Sequence, residues 1–211
     1  MKINKPRIPN DIEEARFSDA FSNEYRELYL ADVKNVEFIS GSFNDMRIEQ
    51  SVIKNSNFSN SDLSGLDLSD VRFENCDFSN VNLSKSSFIR VEFKDCKLLG
   101  TNLSESYIGH TYFQRSILNM AIFGETKLEN ILFEESMLEN ADFFDCKLKK
   151  VGFDACNIDR INFRETSMKG LDISTCEFSS IFVSMENLKG CIVSELQAVY
   201  FATLLGLKIK E

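Results

Sequence analysis

The chain contains few of the residues that interrupt regular structure or that most often carry catalysis. Its 211 residues include two prolines, one histidine and no tryptophan, and both prolines precede residue 10. The sequence after Pro9 is therefore free of the residue that cannot donate to a β-ladder. No apolar run approaches the roughly 20 residues of a membrane-spanning helix. We expect one domain of ordinary size with no membrane contact.

Negative charge exceeds positive charge, with 33 Asp and Glu residues against 24 Lys and Arg residues and a net charge of -9. A surplus of that sign repels the phosphates of nucleic acid and attracts basic protein surfaces. The composition thus favours a basic protein partner over direct binding of nucleic acid. The N-terminal segment has no apolar core of the kind found in signal peptides, so we expect a cytoplasmic protein.

Large apolar residues recur with a period of five through most of the chain. From Phe38 to Val193, every fifth residue is Phe, Leu, Ile, Met or Val, which makes 32 positions without a shift of frame. The residue two places before each of them is usually small, and the other three are mostly polar. Residues 61–65, Ser-Asp-Leu-Ser-Gly, show the whole pattern.

Neither the period of an α-helix nor that of a β-strand produces a five-residue repeat. A square coil does, because each block forms one side and turns a corner, and four blocks complete a coil that stacks on the next at about 4.8 Å. The sequence therefore predicts an all-β solenoid, a right-handed quadrilateral β-helix of about eight coils. One stacked aromatic ladder is expected inside it, formed by Phe73, Phe93, Phe113, Phe133 and Phe153.

Motifs that commonly mark an active site are missing: there is no Gly-rich phosphate loop, no HExxH and no nucleophile elbow. All six cysteines occupy the small inward position, which favours buried apolar residues over disulfides or a metal site. They are Cys76, Cys96, Cys146, Cys156, Cys176 and Cys191. The only histidine, His110, falls at an outward corner and is expected to be solvated. We expect a protein that is not an enzyme, with no catalytic residue, no metal and no cofactor.

Both ends depart from the repeat. Residues 1–30 hold the frame poorly and are predicted to be a lead-in that closes the first coil of a β-helix spanning residues 31–193, because a solenoid needs covered ends. Within that lead-in, residues 10–17 are compatible with a short capped helix or with an extended segment.

Residues 194–211 are predicted to contain a capping and dimerisation helix followed by a short strand. Ser194 and Gln197 have the spacing of a capping box. The helix that follows is apolar on nearly every side, and Gly206 is placed to end it. Residues 207–210 alternate as a short edge strand does.

The consensus of small, polar, Leu or Phe, polar, polar resembles that of the pentapeptide-repeat family over roughly three quarters of the chain. The C-terminal helix, with its QA…LLGL pattern, resembles the Qnr-type quinolone-resistance proteins of that family. Many Qnr-type proteins have loops that project from the coil, whereas the unbroken frame here leaves no room for them, so the resemblance is to a loopless branch. The residues that carry the likeness are Gln197, Ala198, Leu204, Leu205, Gly206, Leu207 and Ile209.

This resemblance implies a function in antibiotic resistance. It implies a DNA-mimicking protein that binds the type II topoisomerases DNA gyrase and topoisomerase IV, protects them from fluoroquinolones and inhibits supercoiling. It also implies a homodimer formed through the C-terminal helix. The predicted interface residues are Leu196, Val199, Tyr200, Phe201, Thr203, Leu204, Leu207 and Ile209. The alternative is a structural or scaffold pentapeptide-repeat protein with an unrelated protein partner.

The outward residues separate by charge when they are sorted by side of the coil. A negative rod is steered towards a positively charged protein saddle, so the acidic residues are the predicted topoisomerase-binding surface. They are Glu105, Glu125, Glu134, Glu135, Glu139, Asp142, Asp145, Asp159 and Glu165. A different side carries a basic stripe, formed by Lys127, Lys147, Lys149, Lys150, Lys169 and Lys189.

An apolar belt runs around the middle of the predicted coil. The position before the central residue is normally polar, but here it holds Tyr107, Tyr112, Ile117, Ile122, Lys127, Leu132 and Met137. Exposed apolar residues in such a row favour contact with a partner. The other interpretation, which we favour slightly, is that the N-terminal segment or neighbouring side chains cover part of the belt.

Overall fold

A computed structural model of the chain describes residues 3–22 and 25–210. It confirms the fold class, a right-handed quadrilateral β-helix of about seven turns with a short C-terminal helix. Residues 20 apart lie on successive coils, so that Leu128 pairs with Leu148 and Phe133 with Phe153. We name the four sides of the coil by residues 66–70, 71–75, 76–80 and 81–85, as sides one to four, with the same names every 20 residues.

Regular strands occupy sides one and two, and all of them pair in parallel. Sides three and four are joined by single bridges with the same 20-residue offset, such as that between Asn57 and Asp77. The strands are β1 (Glu13–Glu14), β2 (Glu27–Tyr29), β3 (Ala31–Lys34), β4 (Arg47–Glu49), β5 (Val52–Lys54), β6 (Asp67–Glu74), β7 (Ser87–Lys94), β8 (Tyr107–Gly109), β9 (Tyr112–Gln114), β10 (Lys127–Glu134) and β11 (Lys147–Asp154).

Each side ends in a residue with a left-handed backbone. This conformation recurs at every fifth residue from Leu30 to Gly170, a span of 140 residues and hence seven coils of 20. Asn, Asp and Gly reach the left-handed region most easily, which explains why they are common at the corners. Other residues also adopt it where the coil requires it, including Lys85 and Glu105, with φ of 58° and 57°.

The prediction of eight regular coils was one coil too many. The left-handed corner is absent at residues 175, 180 and 185, and a 3-10 helix, Met185–Leu188, replaces part of the last coil. Within this stretch the Asp159 carboxylate accepts hydrogen bonds from the amides of Ser179 and Ser180 at 2.8 and 3.1 Å, which hold the backbone around residue 180 outside the repeat.

The predicted aromatic ladder is confirmed inside the coil. Neighbouring rings from Phe73 to Phe153 are stacked, with centroids 4.9–5.0 Å apart. The small inward residues are buried with their hydroxyl groups satisfied: Thr101 Oγ1, for example, donates to the Phe78 carbonyl at 2.7 Å. A hydroxyl at this position therefore adds a bond between coils without leaving a buried polar group unpaired.

The N-terminal residues form a lead-in that closes the first coil. Its strand β1 pairs with β3, and a short helix, α1 (Asp19–Ser22), follows. Phe17 is buried and packs against Phe38 and Phe58 of the first two coils, with centroids at 5.3 and 5.1 Å. The helix alternative that we considered for residues 10–17 does not occur, because this segment is extended and the helix begins at Asp19.

The C-terminal helix, α2 (Glu195–Leu204), has the predicted capping box between Ser194 and Gln197. It ends where Gly206 takes φ 78° and the Leu207 amide donates back to Ala202 at 3.1 Å, which is the Schellman pattern. The predicted strand at residues 207–210 is wrong for the single chain: these residues are exposed and pair with no strand in the described part of the chain.

Gln197 attaches α2 to the solenoid. Its side-chain Nε2 donates to the carbonyls of Ile173 and Cys176, both at 2.9 Å, and its Oε1 accepts from the Ser194 amide. Both carbonyls belong to the last coil; the Ile173 carbonyl also accepts from the Cys176 amide, whereas Gln197 is the partner of the Cys176 carbonyl. Phe201 is buried beside them against Phe178. In place of a further coil, the helix therefore covers the end of the solenoid with the side-chain amide of Gln197 and the ring of Phe201.

Candidate functional site

Four of the predicted acidic residues stack at one corner of the rod, between sides four and one. Glu105, Glu125, Asp145 and Glu165 are 20 residues apart, exposed, and share the left-handed backbone. Glu105 lies 3.9 Å from Nζ of Lys85 in the preceding coil. The side chains of the other three have no hydrogen bond or ion pair within residues 3–22 and 25–210. We call these four residues the acidic column.

Two more predicted acidic residues, Glu134 and Glu135, lie on side two. Glu134 accepts hydrogen bonds from the hydroxyl of Tyr112 and from Nε2 of Gln114. These bonds hold the pKa of Glu134 below its usual value, and the bond from Tyr112 has the larger effect. Burial, together with the same carboxylate, raises the pKa of Tyr112. Glu135 is exposed at the next corner, so it is the freer of the two carboxylates.

The three remaining acidic residues lie on sides three and four and already have polar partners. Glu139 is paired with Arg160, and Asp142 accepts from Nδ2 of Asn162 at 2.7 Å. Hydrogen bonds from Ser179 hold the pKa of Asp159 below its usual value, and Arg160 adds to this effect. The structure therefore does not bring the nine predicted residues into one surface, and Glu125, Asp145 and Glu165 of the acidic column are the largest stacked group without an ion pair in the described chain.

Opposite charges stack in several columns of the rod, and the acidic column differs from these. Charged side chains 20 residues apart form ion pairs between coils on sides one and two. The pairs are Lys54–Glu74, Asp70–Arg90, Arg72–Glu92, Asp95–Arg115 and Glu129–Lys149. In the acidic column, by contrast, four like charges follow one another. Like charges stacked on successive coils repel, and each such contact lowers the stability of the isolated chain.

The predicted basic stripe lies on side one, next to the acidic column. Lys149 pairs with Glu129 at 2.6 Å, and Nζ of Lys127 lies 5.5 Å from the ring centre of Tyr107. The other four lysines have no ion pair in the described chain. They are Lys147, Lys150, Lys169 and Lys189. Because Glu125 and Lys127 are two residues apart, as are Asp145 and Lys147, these two lysines follow the same corner as the acidic column, whereas the other four lysines of the stripe lie at the opposite end of side one.

The apolar belt is partly covered, and its members have different surroundings. Tyr112 and Leu132 lie beneath the N-terminal residues 3–6, which line a cavity of about 320 Å³ with them. Ile122 and Met137 remain exposed on sides three and four, together with Met120. Met120 lies outside the belt, at a corner with φ 58°, so the sequence pattern did not single it out.

The outer surface of α2 is apolar and has no partner in the single chain. Of the predicted interface residues, Leu196 is 84% exposed, and Val199, Thr203, Leu204, Leu207 and Ile209 are exposed as well. Phe201 and Tyr200 differ from the prediction because both face the last coil: Phe201 is buried, and the Tyr200 hydroxyl accepts from the Ile181 amide at 3.2 Å. Leu205, 60% exposed, was missed and belongs with the outer group.

The remaining candidates for chemistry are the six cysteines and the one histidine. Five cysteines are buried and Cys191 is partly buried; all are free thiols. Burial raises the pKa of Cys146 and Cys176 to about 12. No group of three His, Cys, Asp or Glu side chains in the described residues could hold a metal ion. His110 is not simply solvated, since Asn4 and Asn130 contact its ring.

The geometry defines a parallel β-solenoid with covered ends, charge columns along its corners and an apolar C-terminal helix. None of the helices in residues 3–22 and 25–210 has the length and apolarity needed to cross a bilayer. Two family models match the sequence: the pentapeptide repeats model over residues 42–80 and the pentapeptide repeat region model over residues 66–143. The chain is therefore a pentapeptide-repeat protein. No curated protein matched it.

Several solved pentapeptide-repeat structures are similar to this chain at low identity. QnrB1, a plasmid-mediated fluoroquinolone resistance protein, is 16% identical, with 83% of this chain and 100% of QnrB1 covered and a TM-score of 0.39. HetL, from the cyanobacterium Nostoc sp. strain PCC 7120, is 13% identical, with 84% and 95% covered and a TM-score of 0.24. A thylakoid lumen protein of Arabidopsis thaliana is 10% identical, with 58% and 68% covered and a TM-score of 0.28.

Proposed function

We propose that this protein is a non-catalytic binder of type II topoisomerases, which it contacts through the acidic column in place of DNA. Binding protects DNA gyrase and topoisomerase IV from fluoroquinolones and competes with DNA for the same saddle. The C-terminal pattern that resembles Qnr-type proteins points to this partner. The acidic column is the observation that carries the proposal, because it offers a row of exposed carboxylates, three of them without an ion pair, to a basic surface.

The spacing of the column supports a partner that normally binds an anionic polymer. Stacked coils place one carboxylate about every 4.8 Å along the rod. DNA presents one phosphate about every 3.4 Å per strand along its axis. A basic groove built for phosphates thus meets a comparable line of charge. Carboxylates without an internal partner are also free to form charge-assisted hydrogen bonds with Arg and Lys side chains.

The apolar outer surface of α2 supports a homodimer. Leu196, Leu204 and Leu205 extend into solvent at the very end of the rod, where a second copy can cover them about a two-fold axis. Joining two rods by their C-terminal ends doubles the length of the acidic column available to a two-fold symmetric enzyme. Phe201 and Tyr200 stay in the cap and do not take part in this contact.

A gyrase assay with matched charge variants tests the proposal. The wild-type protein should reduce drug-induced DNA cleavage when it is titrated into gyrase with ciprofloxacin. The triple variant Glu125→Gln, Asp145→Asn, Glu165→Gln should lose most of this protection. The control variant neutralises three exposed carboxylates on other sides of the rod, namely Glu37→Gln, Asp154→Asn and Glu177→Gln.

Both variants change the net charge by the same amount, so a difference in protection between them cannot arise from net charge alone. Equal loss in both would show that only net charge matters and that the column has no special role. No effect of the wild-type protein on gyrase or on topoisomerase IV would exclude the topoisomerase proposal and favour the scaffold alternative. One observation already favours a different protein partner: the exposed group of Met120, Ile122 and Met137 on sides three and four.

A further inference from the structure

The N-terminal residues 3–12 form an extended arm that lies along the outside of the rod. The amide of Asn4 donates to Nδ1 of His110 at 3.4 Å, and the amide of Arg7 donates to Oδ1 of Asp70 at 2.9 Å. Nε2 of Gln50 then donates to the Arg7 carbonyl at 3.3 Å. His110, Asp70 and Gln50 all occupy the corner between sides one and two, so the arm crosses one coil after another.

The arm brings positive charge to acidic side chains of that corner. Asp70 is buried beside Arg7 and Arg90, and although burial opposes ionisation, the Arg90 hydrogen bonds and the Arg7 amide hold the pKa of Asp70 below its usual value. Two residues earlier in the arm, the charge of Lys5 also favours the ionised form of Glu134 on side two, after the hydrogen bonds from Tyr112 and Gln114. The arm thus places a cation near a carboxylate at two levels of the rod.

Contact between the arm and the rod is incomplete, which allows the arm to leave. A cavity of about 320 Å³ separates them, lined by Ile3, Asn4, Lys5 and Pro6 on one side and by Val91, Glu92, His110, Tyr112 and Leu132 on the other. The hydrogen bonds at its outer end, between Asn4 and His110, are long at 3.4 and 3.5 Å. An extended segment held by a few polar contacts opens at low cost in free energy.

We propose that the arm is an internal competitor, a basic segment of this chain that covers the start of side two, beside Glu92 and Glu134, until a basic partner surface displaces it. The arm occupies the place that a basic protein surface takes on the acidic rod, and its release exposes Tyr112 and Leu132 to the same partner. This inference rests on the proposed function only for the identity of the partner. The competition between the arm and a basic surface does not depend on that identity.

Two full-length double variants test the competition. Lys5→Gln with Arg7→Gln weakens the arm, whereas Lys97→Gln with Arg164→Gln removes the same charge from exposed positions on sides three and four, away from the arm. We expect the arm variant to bind DNA gyrase about threefold to tenfold more tightly than the control variant, because a partly closed site lowers the apparent affinity by the fraction that is open. Amide exchange at residue 7 should also be faster in the arm variant.

A fluorescent ten-residue oligolysine serves as a second probe that does not depend on gyrase. Its anisotropy should show tighter binding to the arm variant at about 50 mM salt, and a smaller difference at about 150 mM salt, because salt screens exposed charges. Tighter oligolysine binding without any gyrase binding supports the arm and rejects the topoisomerase proposal. Equal affinities of both variants for gyrase and for oligolysine overturn the arm proposal and leave the topoisomerase proposal standing.

Discussion

Substitution of Gln197 by leucine tests how the C-terminal helix is attached to the solenoid. The side chain is 8% exposed and makes 2.9 Å hydrogen bonds to the carbonyls of Ile173 and Cys176. Leucine keeps the volume but leaves the Cys176 carbonyl without a partner, whereas the Ile173 carbonyl still accepts from the Cys176 amide. The unpaired acceptor costs about 1–3 kcal/mol and the lost bond to the Ser194 amide costs about 1 kcal/mol, which gives about 2–4 kcal/mol together. Because a solenoid transmits stability only between neighbouring units, this loss should stay at the C-terminal end.

The measurement is amide hydrogen exchange across α2 and β10, with Ser194→Ala as the control. The control removes only the N-cap and should lower the protection of α2 by about 1 kcal/mol. Gln197→Leu should lower it by at least twice as much, while the amides of β10 stay protected in both variants. Equal effects of the two substitutions would refute the reasoning, since they would show that Gln197 acts as part of the capping box and not as an anchor.

Two further predictions concern the helix surface and the interior. Leu204→Asp should give a folded monomer if α2 forms the dimer contact. Light scattering measures the mass and circular dichroism the folded state, and a mass equal to that of the wild-type protein would contradict this contact. The thiols of Cys146, Cys156 and Cys176, with pKa raised by burial to about 12, 11 and 12, should resist iodoacetamide at pH 8 in the native protein and react after denaturation, because the thiolate is the reactive form. Rapid native modification, measured by mass spectrometry, would show that the coil opens.

The repeat could be predicted because each block obeys the same local rules. A large residue at the centre, a small residue two places earlier and a corner that accepts a left-handed backbone specify one side of the coil, and stacking multiplies the signal. For the same reason the phenylalanine ladder and the capping box at Ser194 were predictable. Both depend on residues at a fixed short or 20-residue spacing, which the sequence displays directly.

Features that depend on contacts between distant segments were missed or placed wrongly. Asp159 binds Ser179 and Ser180 where the backbone leaves the repeat, although the apolar period continues unchanged through Val193. The arm contacts His110 across 106 residues of sequence, and no periodic pattern in the sequence predicts this contact. Tyr200 and Phe201 were assigned to the dimer surface because an apolar helix alone does not reveal which of its sides meets the coil.

The neighbouring acidic and basic columns limit how the rod can be bound. A uniform mimic of DNA would present negative charge on every side and could enter a basic saddle in any rotation about its axis. Here Glu125 and Asp145 lie two residues from Lys127 and Lys147, so a small rotation exchanges attraction for repulsion. Like charges brought together at an interface cost several kcal/mol, which selects one orientation of the rod. We therefore expect charge reversal of the lysines, as in Lys147→Glu with Lys169→Glu, to strengthen binding to basic surfaces in general and to weaken discrimination between partners.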